Sequence, residues 1–232
     1  VLSDWKGGGL EGVDEFVEGY KHDPKMDFHT MVAEMADIPR KSAKTINLAM
    51  MYGMGVTKLS QQLDISLDEA KDLTKQYHKR VPFVKQLMQG VSRRLEDARS
   101  NGSVRSLKGR KCRFDLWEPK GFEMKKALPK EEALVTYGQT TQLKRAFTYK
   151  ALNRLIQASA ADMTKQAMVN LYNQGITPLL QIHDELDCSV KDIDAARKIA
   201  RSMETALELR VPSKCDIDIG PSWGEAKEVK YD

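Results

Sequence analysis

Thr177-Pro178-Leu179-Leu180-Gln181-Ile182-His183-Asp184-Glu185-Leu186-Asp187-Cys188-Ser189-Val190 is where the hydrophobic period of this chain changes. Upstream, apolar residues recur at helical spacing. Here Thr177–Ile182 and Leu186–Val190 are β-compatible runs on either side of three polar residues, which predicts a hairpin with His183-Asp184-Glu185 at its tip. A helix is expected next, from Asp194 to about Leu209, and then a last strand near Cys215–Ile219. Helices first, then hairpin, helix and strand, define an α+β chain rather than a parallel βαβ repeat.

Strand alternation sends neighbouring side chains to opposite faces, so one of the two tip acids faces any site there. A single exposed Asp supplies one magnesium ligand, and a two-metal site needs at least one more carboxylate. Standing alone, the same tripeptide also fits a polar turn with no chemistry.

Working back from the hairpin, a helical pattern runs from about Leu143 to Asn173 and stops at Gly175, a favoured C-terminal capping residue. The stretch from Trp117 to Gln142 has two Pro, two Gly and mixed charges, and reads as an inserted loop or a poorly ordered excursion. Ser103–Leu107 and Arg110–Phe114 are candidate short strands around Lys108-Gly109. Ser66-Leu67-Asp68-Glu69 is a capping box, followed by Leu67, Ala70, Leu73 and Tyr77 at helical spacing up to Arg80. Pro82 suits the first turn of a next helix, expected to reach about Asn101 before Asn101-Gly102 breaks it. There are no internal repeats.

Pro39 to Gly53 predicts one more helix, with Asp37 as its expected cap and Pro39 in its first turn. Arg40, Lys44, Leu48 and Tyr52 are four apart and share one stripe, about 18 Å long at about 1.5 Å rise per residue. Two cations occupy its N-terminal half, where they oppose the helix dipole unless an anion sits there. A stripe that is cationic at one end and apolar and aromatic at the other matches a nucleoside triphosphate. The phosphates would lie at Arg40 and Lys44, the sugar and base near Leu48 and Tyr52. Spacing alone is equally that of an amphipathic helix with two surface cations.

The 232 residues suffice for one or two domains with a buried core, and 23 Gly plus Pro (15 + 8) exclude collagen-like and low-complexity classes. The net charge is only +4, but it is unevenly spread. Arg93–Arg145 holds 14 basic and 7 acidic residues, whereas Asp184–Asp232 holds 8 and 12. The basic middle fits a phosphate backbone or a solvated helical face. Cys112, Cys188 and Cys215 are odd in number and far apart, which suggests neither a zinc site nor a disulfide framework and fits a reducing compartment. No run approaches the roughly 20 apolar residues of a membrane helix. The first residues, Val1-Leu2-Ser3-Asp4-Trp5-Lys6, form no signal peptide, and Val1 is not expected to be a natural start. The Gly53-x-Gly55-x-x-Lys58 spacing is wrong for a phosphate-binding P-loop.

Taken together, Arg-x3-Lys-x7-Tyr-Gly and a His-Asp-Glu between β-rich flanks about 130 residues later resemble the family A DNA polymerases, the polymerase I-like enzymes and their bacteriophage relatives. Asp27-Phe28-His29-Thr30 resembles the segment preceding that family's nucleotide helix, and Leu107-Lys108-Gly109-Arg110 its Gly-Arg turn. Asn153-Arg154-Leu155-Ile156-Gln157-Ala158-Ser159-Ala160-Ala161-Asp162 is similar to its helix beside the primer-template minor groove, and Gly220-Pro221-Ser222-Trp223-Gly224 to its C-terminal ending.

The resemblance implies helical fingers over 1–142, with the insertion near 117–142, and part of an antiparallel palm over 143–232 carrying a catalytic β-hairpin. It implies that Arg40, Lys44 and His29 contact the triphosphate, with Lys44 a proton donor to departing pyrophosphate. By the same resemblance Leu48 packs near the sugar, and Tyr52 and Gly53 lie beside the templating position. Asn153 and Gln157 are implied as minor-groove readers, checking pair shape through acceptors that every base pair offers. His183 is placed near the primer terminus, Asp184 as a catalytic metal ligand and Glu185 as the adjacent acid. The implied partners are primer-template DNA, dNTPs and an N-terminal polymerase fragment or chain, with two Mg²⁺ shared with residues outside this chain. Location is expected in the cytoplasm, that of a host cell for a viral source.

Two departures stand out. The family commonly carries Phe or Tyr where this chain has Leu48. Its first catalytic strand, which supplies the other metal-binding Asp and a ribose-excluding Glu, has no equivalent here and would lie just before Val1. The chain is therefore expected to be inactive without an N-terminal partner. A single-subunit RNA polymerase fragment is a rival, weakened by Glu185 where that family has Ser. A non-catalytic nucleic-acid-binding remnant is another.

Overall fold

The computed structural model of the chain describes residues 9–23, 27–121 and 126–229. They form two compact units, 9–12 with 27–158 and 13–23 with 159–229. This division falls inside a long helix, sixteen residues beyond the boundary expected at 142. The chain is α+β, as the change of period predicts. Its first helix, α1 (Val13–His22), belongs to the second unit and buries Val13, Phe16 and Val17.

The first unit opens with α2 (Phe28–Ala36), α3 (Arg40–Met51), α4 (Val56–Leu63), α5 (Leu67–Arg80) and α6 (Pro82–Glu96). The capping box forms: the Ser66 hydroxyl accepts from the Glu69 backbone N–H at 3.2 Å, and the Glu69 carboxylate accepts from the Ser66 N–H at 2.8 Å. In the expected stripe of α5, Ala70 and Tyr77 are buried but Leu67, in the first turn, is exposed. Pro82 is the first residue of α6, which buries Phe83, Val84, Leu87, Val91 and Leu95. The α-helix ends at Glu96, short of Asn101, and a 3-10 turn over Ala98–Ser100 carries the chain to Asn101 and Gly102, both at positive φ.

The two expected short strands are present as β1 (Ser103–Arg105) and β2 (Lys111–Arg113), antiparallel with Val104 opposite Cys112. The described part of the stretch 117–142 is not all loop, and 122–125 lie outside the described residues. It contains β3 (Leu116–Pro119), β4 (Leu128–Pro129) and α7 (Lys130–Tyr137), and β3 is the centre of a sheet completed by β5 (Leu143–Arg145). Its strands are short and half-exposed, so they carry no two-residue hydrophobic alternation for a sequence reading to find. Their pairing rests on cross-strand partners such as Glu118 opposite Lys144, whose side chains meet at 3.4 Å. Both prolines sit at strand ends, where a missing N–H is tolerated.

The helix expected from Leu143 begins later. Residues 143–145 are β5, Phe147 takes a φ of +59°, a 3-10 turn covers Thr148–Lys150, and α8 runs over Ala151–Asn173. The N-terminal part of α8 packs Ala151, Leu152 and Leu155 against Leu87, Val91 and Leu95 of α6, with Val104 and Phe114.

In the second unit α8 stops as expected. Gly175 has a φ of +77°, and the backbone N–H of Ile176 reaches back to the Leu171 carbonyl at 2.9 Å. β6 (Leu180–Ile182) and β7 (Glu185–Asp187) form the hairpin and, among the described residues, pair only with each other. α9 (Ile193–Glu204) is capped by Asp192, whose side chain accepts from the Ala195 N–H at 2.8 Å, and it ends before Leu209. The last strand is β8 (Asp218–Ile219), paired with β9 (Lys227–Glu228). Ala196 and Ala200 of α9 pack on Ile217, with Val190, Ile193, Cys215 and Ile219 around them.

Candidate nucleotide and nucleic-acid site

Helix α3 is sorted cleanly into two faces. Ala43, Ile46, Asn47, Ala49 and Met50 are buried, while Arg40, Lys44, Leu48 and Tyr52 are exposed along the opposite stripe. Leu48 keeps 41% and Tyr52 51% of their surface open. Asp37 does not cap this helix. It ends α2 in the left-handed region (φ +54°), and Pro39 takes the N-cap position of α3 with no side-chain hydrogen bond. The first-turn amides of α3 are therefore uncapped beside two cations, an anion-favouring end.

The N-terminus of α2 is tied to this end. Asp27 caps α2, accepting from the Thr30 N–H at 3.0 Å and the Thr30 hydroxyl at 2.8 Å, and it also accepts from Nε of Arg40 at 2.8 Å. Burial pushes the Asp27 carboxyl up, but the bonds from Thr30 and Arg40 outweigh it and hold the pKa at about 2. Arg40 is thus oriented by an acid, whereas the Lys44 side chain makes no hydrogen bond or ion pair among the described residues. His29 follows in α2, and its Nδ1 lies 3.1 Å from the Asn47 side-chain nitrogen. Burial lowers the His29 pKa; Asp27 opposes this, and Lys44 and Arg40 reinforce it.

At its other end α3 closes on Tyr52 and Gly53. Gly53 has a φ of +65°, its N–H reaches the Met50 carbonyl at 3.3 Å, and that of Met54 reaches Ala49 at 2.8 Å. The Tyr-Gly pair therefore has a structural duty as a helix stop, and the close approach Gly53 permits within the chain is to Tyr149.

On α8, Asn153 is half-buried and Gln157 exposed, one turn apart. Neither side chain makes a hydrogen bond among the described residues. The basic middle of the chain is partly spent on rings: Arg145 stacks over Trp117 at 4.5 Å and Arg154 over Phe114 at 4.6 Å. Both also donate to carbonyls, Arg145 to Phe114 at 2.7 Å and Arg154 to Arg113 at 2.9 Å.

In the second unit the hairpin turn is tighter than expected. Ile182 pairs with Glu185, so the loop is only His183-Asp184, and Glu185 is the first strand residue rather than part of the tip. His183 carries a φ of +52°, and the Gln181 side chain donates to its carbonyl at 2.6 Å. His183, Asp184 and Glu185 are all exposed. Nε1 of Trp223 donates to Glu185 at 3.3 Å, which joins the Gly-x-x-Trp ending to the hairpin acid. Among the described residues no group of three His, Cys, Asp or Glu stands together as a metal cage. Magnesium takes one or two carboxylates with phosphate and water oxygens rather than such a cage, and the exposed Asp184 is a donor of the type that would hold it. No helix among them is long and apolar enough to cross a membrane.

The first unit thus carries an uncapped cationic helix end with an exposed apolar stripe, and the second an acid-bearing hairpin. Residues 14–225 match the model of DNA polymerase family A, and the chain belongs to that family. It is 32% identical over 241 residues to a DNA-directed DNA polymerase of Pseudomonas phage M6, covering 89% of this chain and 32% of that protein. It is also 32% identical over 218 residues to the thermostable DNA polymerase I of Thermus aquaticus, covering 87% and 24%. A solved structure, the POL domain of Pol1 from M. smegmatis in complex with DNA primer-template and dNTP, is similar with a TM-score of 0.61 and 26% identity, over 84% of this chain and 34% of that one. The chain thus spans at most about a third of the length of these relatives.

Sequence reading assigned no role to Asn47, Tyr77 or Trp223. A signal existed for Asn47, a polar residue in the buried stripe of an otherwise apolar helix face. None existed for Trp223 and Glu185, 38 residues apart.

Proposed function

We propose that this chain is the C-terminal part of a DNA-templated DNA polymerase, adding dNTPs to a primer 3′-hydroxyl when joined to the palm residues it does not contain. The observation that carries this is the exposed stripe of α3, with its uncapped cationic end and open Leu48 and Tyr52. Arg40, Lys44 and His29 hold the triphosphate; an Arg already aligned by Asp27 loses less freedom on binding than one that must be ordered. Lys44, unpaired among the described residues, is the proton donor to departing pyrophosphate. Leu48 offers an apolar surface to the sugar, and Tyr52 a ring beside the templating base. Asn153 and Gln157 read the minor groove, where acceptors occur on every base pair. Residues 1–142 act as fingers and 143–232 as a palm portion.

Asp184 is the acid this chain gives to a two-magnesium site, with Glu185 beside it and His183 near the primer end. Bound Mg²⁺ would acidify the attacking hydroxyl and neutralise charge on the departing pyrophosphate. The remaining ligands come from an N-terminal segment or chain, and without it the 232 residues are inactive.

The test is primer extension by the chain alone, by the chain with an N-terminal palm partner, and by that assembly carrying Asp184→Ala. Activity is expected only in the second. Robust extension by the chain alone, or by the Asp184→Ala assembly, refutes the reading, and preference for rNTPs over dNTPs reassigns it to RNA synthesis.

A further inference from the structure

His29, Asn47 and Tyr77 come from three helices, α2, α3 and α5, and form one hydrogen-bonded line. The Tyr77 hydroxyl donates to Oδ1 of Asn47 at 2.7 Å, and Nδ2 of Asn47 stands 3.1 Å from Nδ1 of His29. Asn47 and Tyr77 are both fully buried. We propose that Tyr77 and Asn47 are positioning residues that set the tautomer of His29, so that its Nε2 carries the proton and is offered as a donor to the triphosphate.

The direction of the line follows from what each group can donate. Among the described residues the buried Tyr77 hydroxyl has Asn47 as its one partner, and burying an O–H without an acceptor is costly. Oδ1 of Asn47 must therefore face Tyr77, which turns its N–H groups towards His29. Facing a donor, Nδ1 of His29 can only accept, and a neutral ring then has its proton on Nε2. The only fully buried side-chain polar atom without a partner among the described residues is Nδ1 of His78, so Nε2 of His29, which has none either, is not fully buried.

The chemical consequence is a choice of sign. With Nε2–H the ring donates to a phosphate oxygen; with the proton on Nδ1 a lone pair would face that oxygen and repel it. A protonated ring would donate from both nitrogens, but burial and the nearby Lys44 and Arg40 favour the neutral form against the opposing Asp27. The line therefore supplies by geometry a donor that charge does not. Its effect on nucleotide binding rests on the proposed phosphate contact of His29, whereas the tautomer itself does not.

Two measurements on the active assembly separate these. Nitrogen-15 spectra with labelled histidine should find His29 protonated on Nε2, and Tyr77→Phe should give a mixture of tautomers. Protonation on Nδ1 in the parent, or an unchanged Nε2–H ring in Tyr77→Phe, overturns the proposal. In steady-state kinetics Tyr77→Phe should raise KM for dNTP about fivefold, the size of one neutral hydrogen bond, with kcat little changed. That rise should vanish in a His29→Ala background; if it persists there, Tyr77 acts through packing and the relay is wrong. If His29→Ala leaves KM unchanged while the spectra come out as expected, the phosphate contact fails and the tautomer assignment stands.

Discussion

Gly53 lies against the backbone carbonyl of Tyr149, and a methyl group on its α-carbon would stand 2.6 Å from that oxygen. A carbonyl cannot step aside as a flexible side-chain tip would, and the φ of +65° is itself unfavourable for any residue with a Cβ. Gly53→Ala is therefore expected to destabilise the first unit by about 1–3 kcal/mol, read as a lower denaturant midpoint. A loss below about 0.5 kcal/mol would mean that the loop around Tyr149 relaxes freely.

The bonds that Thr30 and Arg40 give to Asp27 predict an acid limb in the stability profile. The folded carboxyl titrates at about 2, below its ordinary 3.8, so the unfolded chain binds the proton more readily. This contribution is full above the ordinary value and is lost as pH falls through about 2. Asp27→Asn should flatten that limb in thermal unfolding followed against pH. It should also raise KM for dNTP at neutral pH, because Arg40 loses its charged partner.

Leu48, open on the stripe, is where the family commonly has an aromatic ring. Leu48→Phe and Leu48→Tyr are expected to change dNTP/ddNTP discrimination in steady-state kinetics of the assembled enzyme. Little change in stability should accompany this, since the side chain is exposed. Unchanged selectivity in both variants removes Leu48 from sugar recognition.

His183 occupies a positive φ that costs a residue with a Cβ about 1–2 kcal/mol. His183→Gly removes that cost but frees the unfolded chain, so stability should match or exceed the parent within about 1 kcal/mol. On the proposed place of His183 near the primer end, primer extension should nevertheless fall. A variant that is both stable and fully active would leave the strained turn without a use.

How far the sequence could be read follows from where each signal lives. The capping box, Pro82, Gly175 and the α3 stripe are local, decided within a turn or two of helix, and each stands where the pattern puts it. The sheet of β3, β4 and β5 was hidden because its strands are two to four residues long and meet partners up to 28 positions away, Trp117 with Arg145. The same holds at the site. Arg40, Lys44, Leu48 and Tyr52 could be picked by spacing, whereas the bond from Arg40 to Asp27 and the line from Tyr77 through Asn47 to His29 cross between helices. Asp37 was misplaced for a related reason: an Asp between two helical stretches serves equally as the end of one or the start of the next, and only the backbone decides.

The hairpin that carries Asp184 is a ribbon of two strands with three residues each. Such a ribbon is marginal in water by itself, and its outer edges keep backbone donors and acceptors ready for another strand. Leu179 and Leu180 stand exposed at the start of it, at 72% and 48%. At the bench this is a colloidal liability: kept alone at high concentration, the chain should self-associate edge to edge, visible as light scattering that a companion strand suppresses.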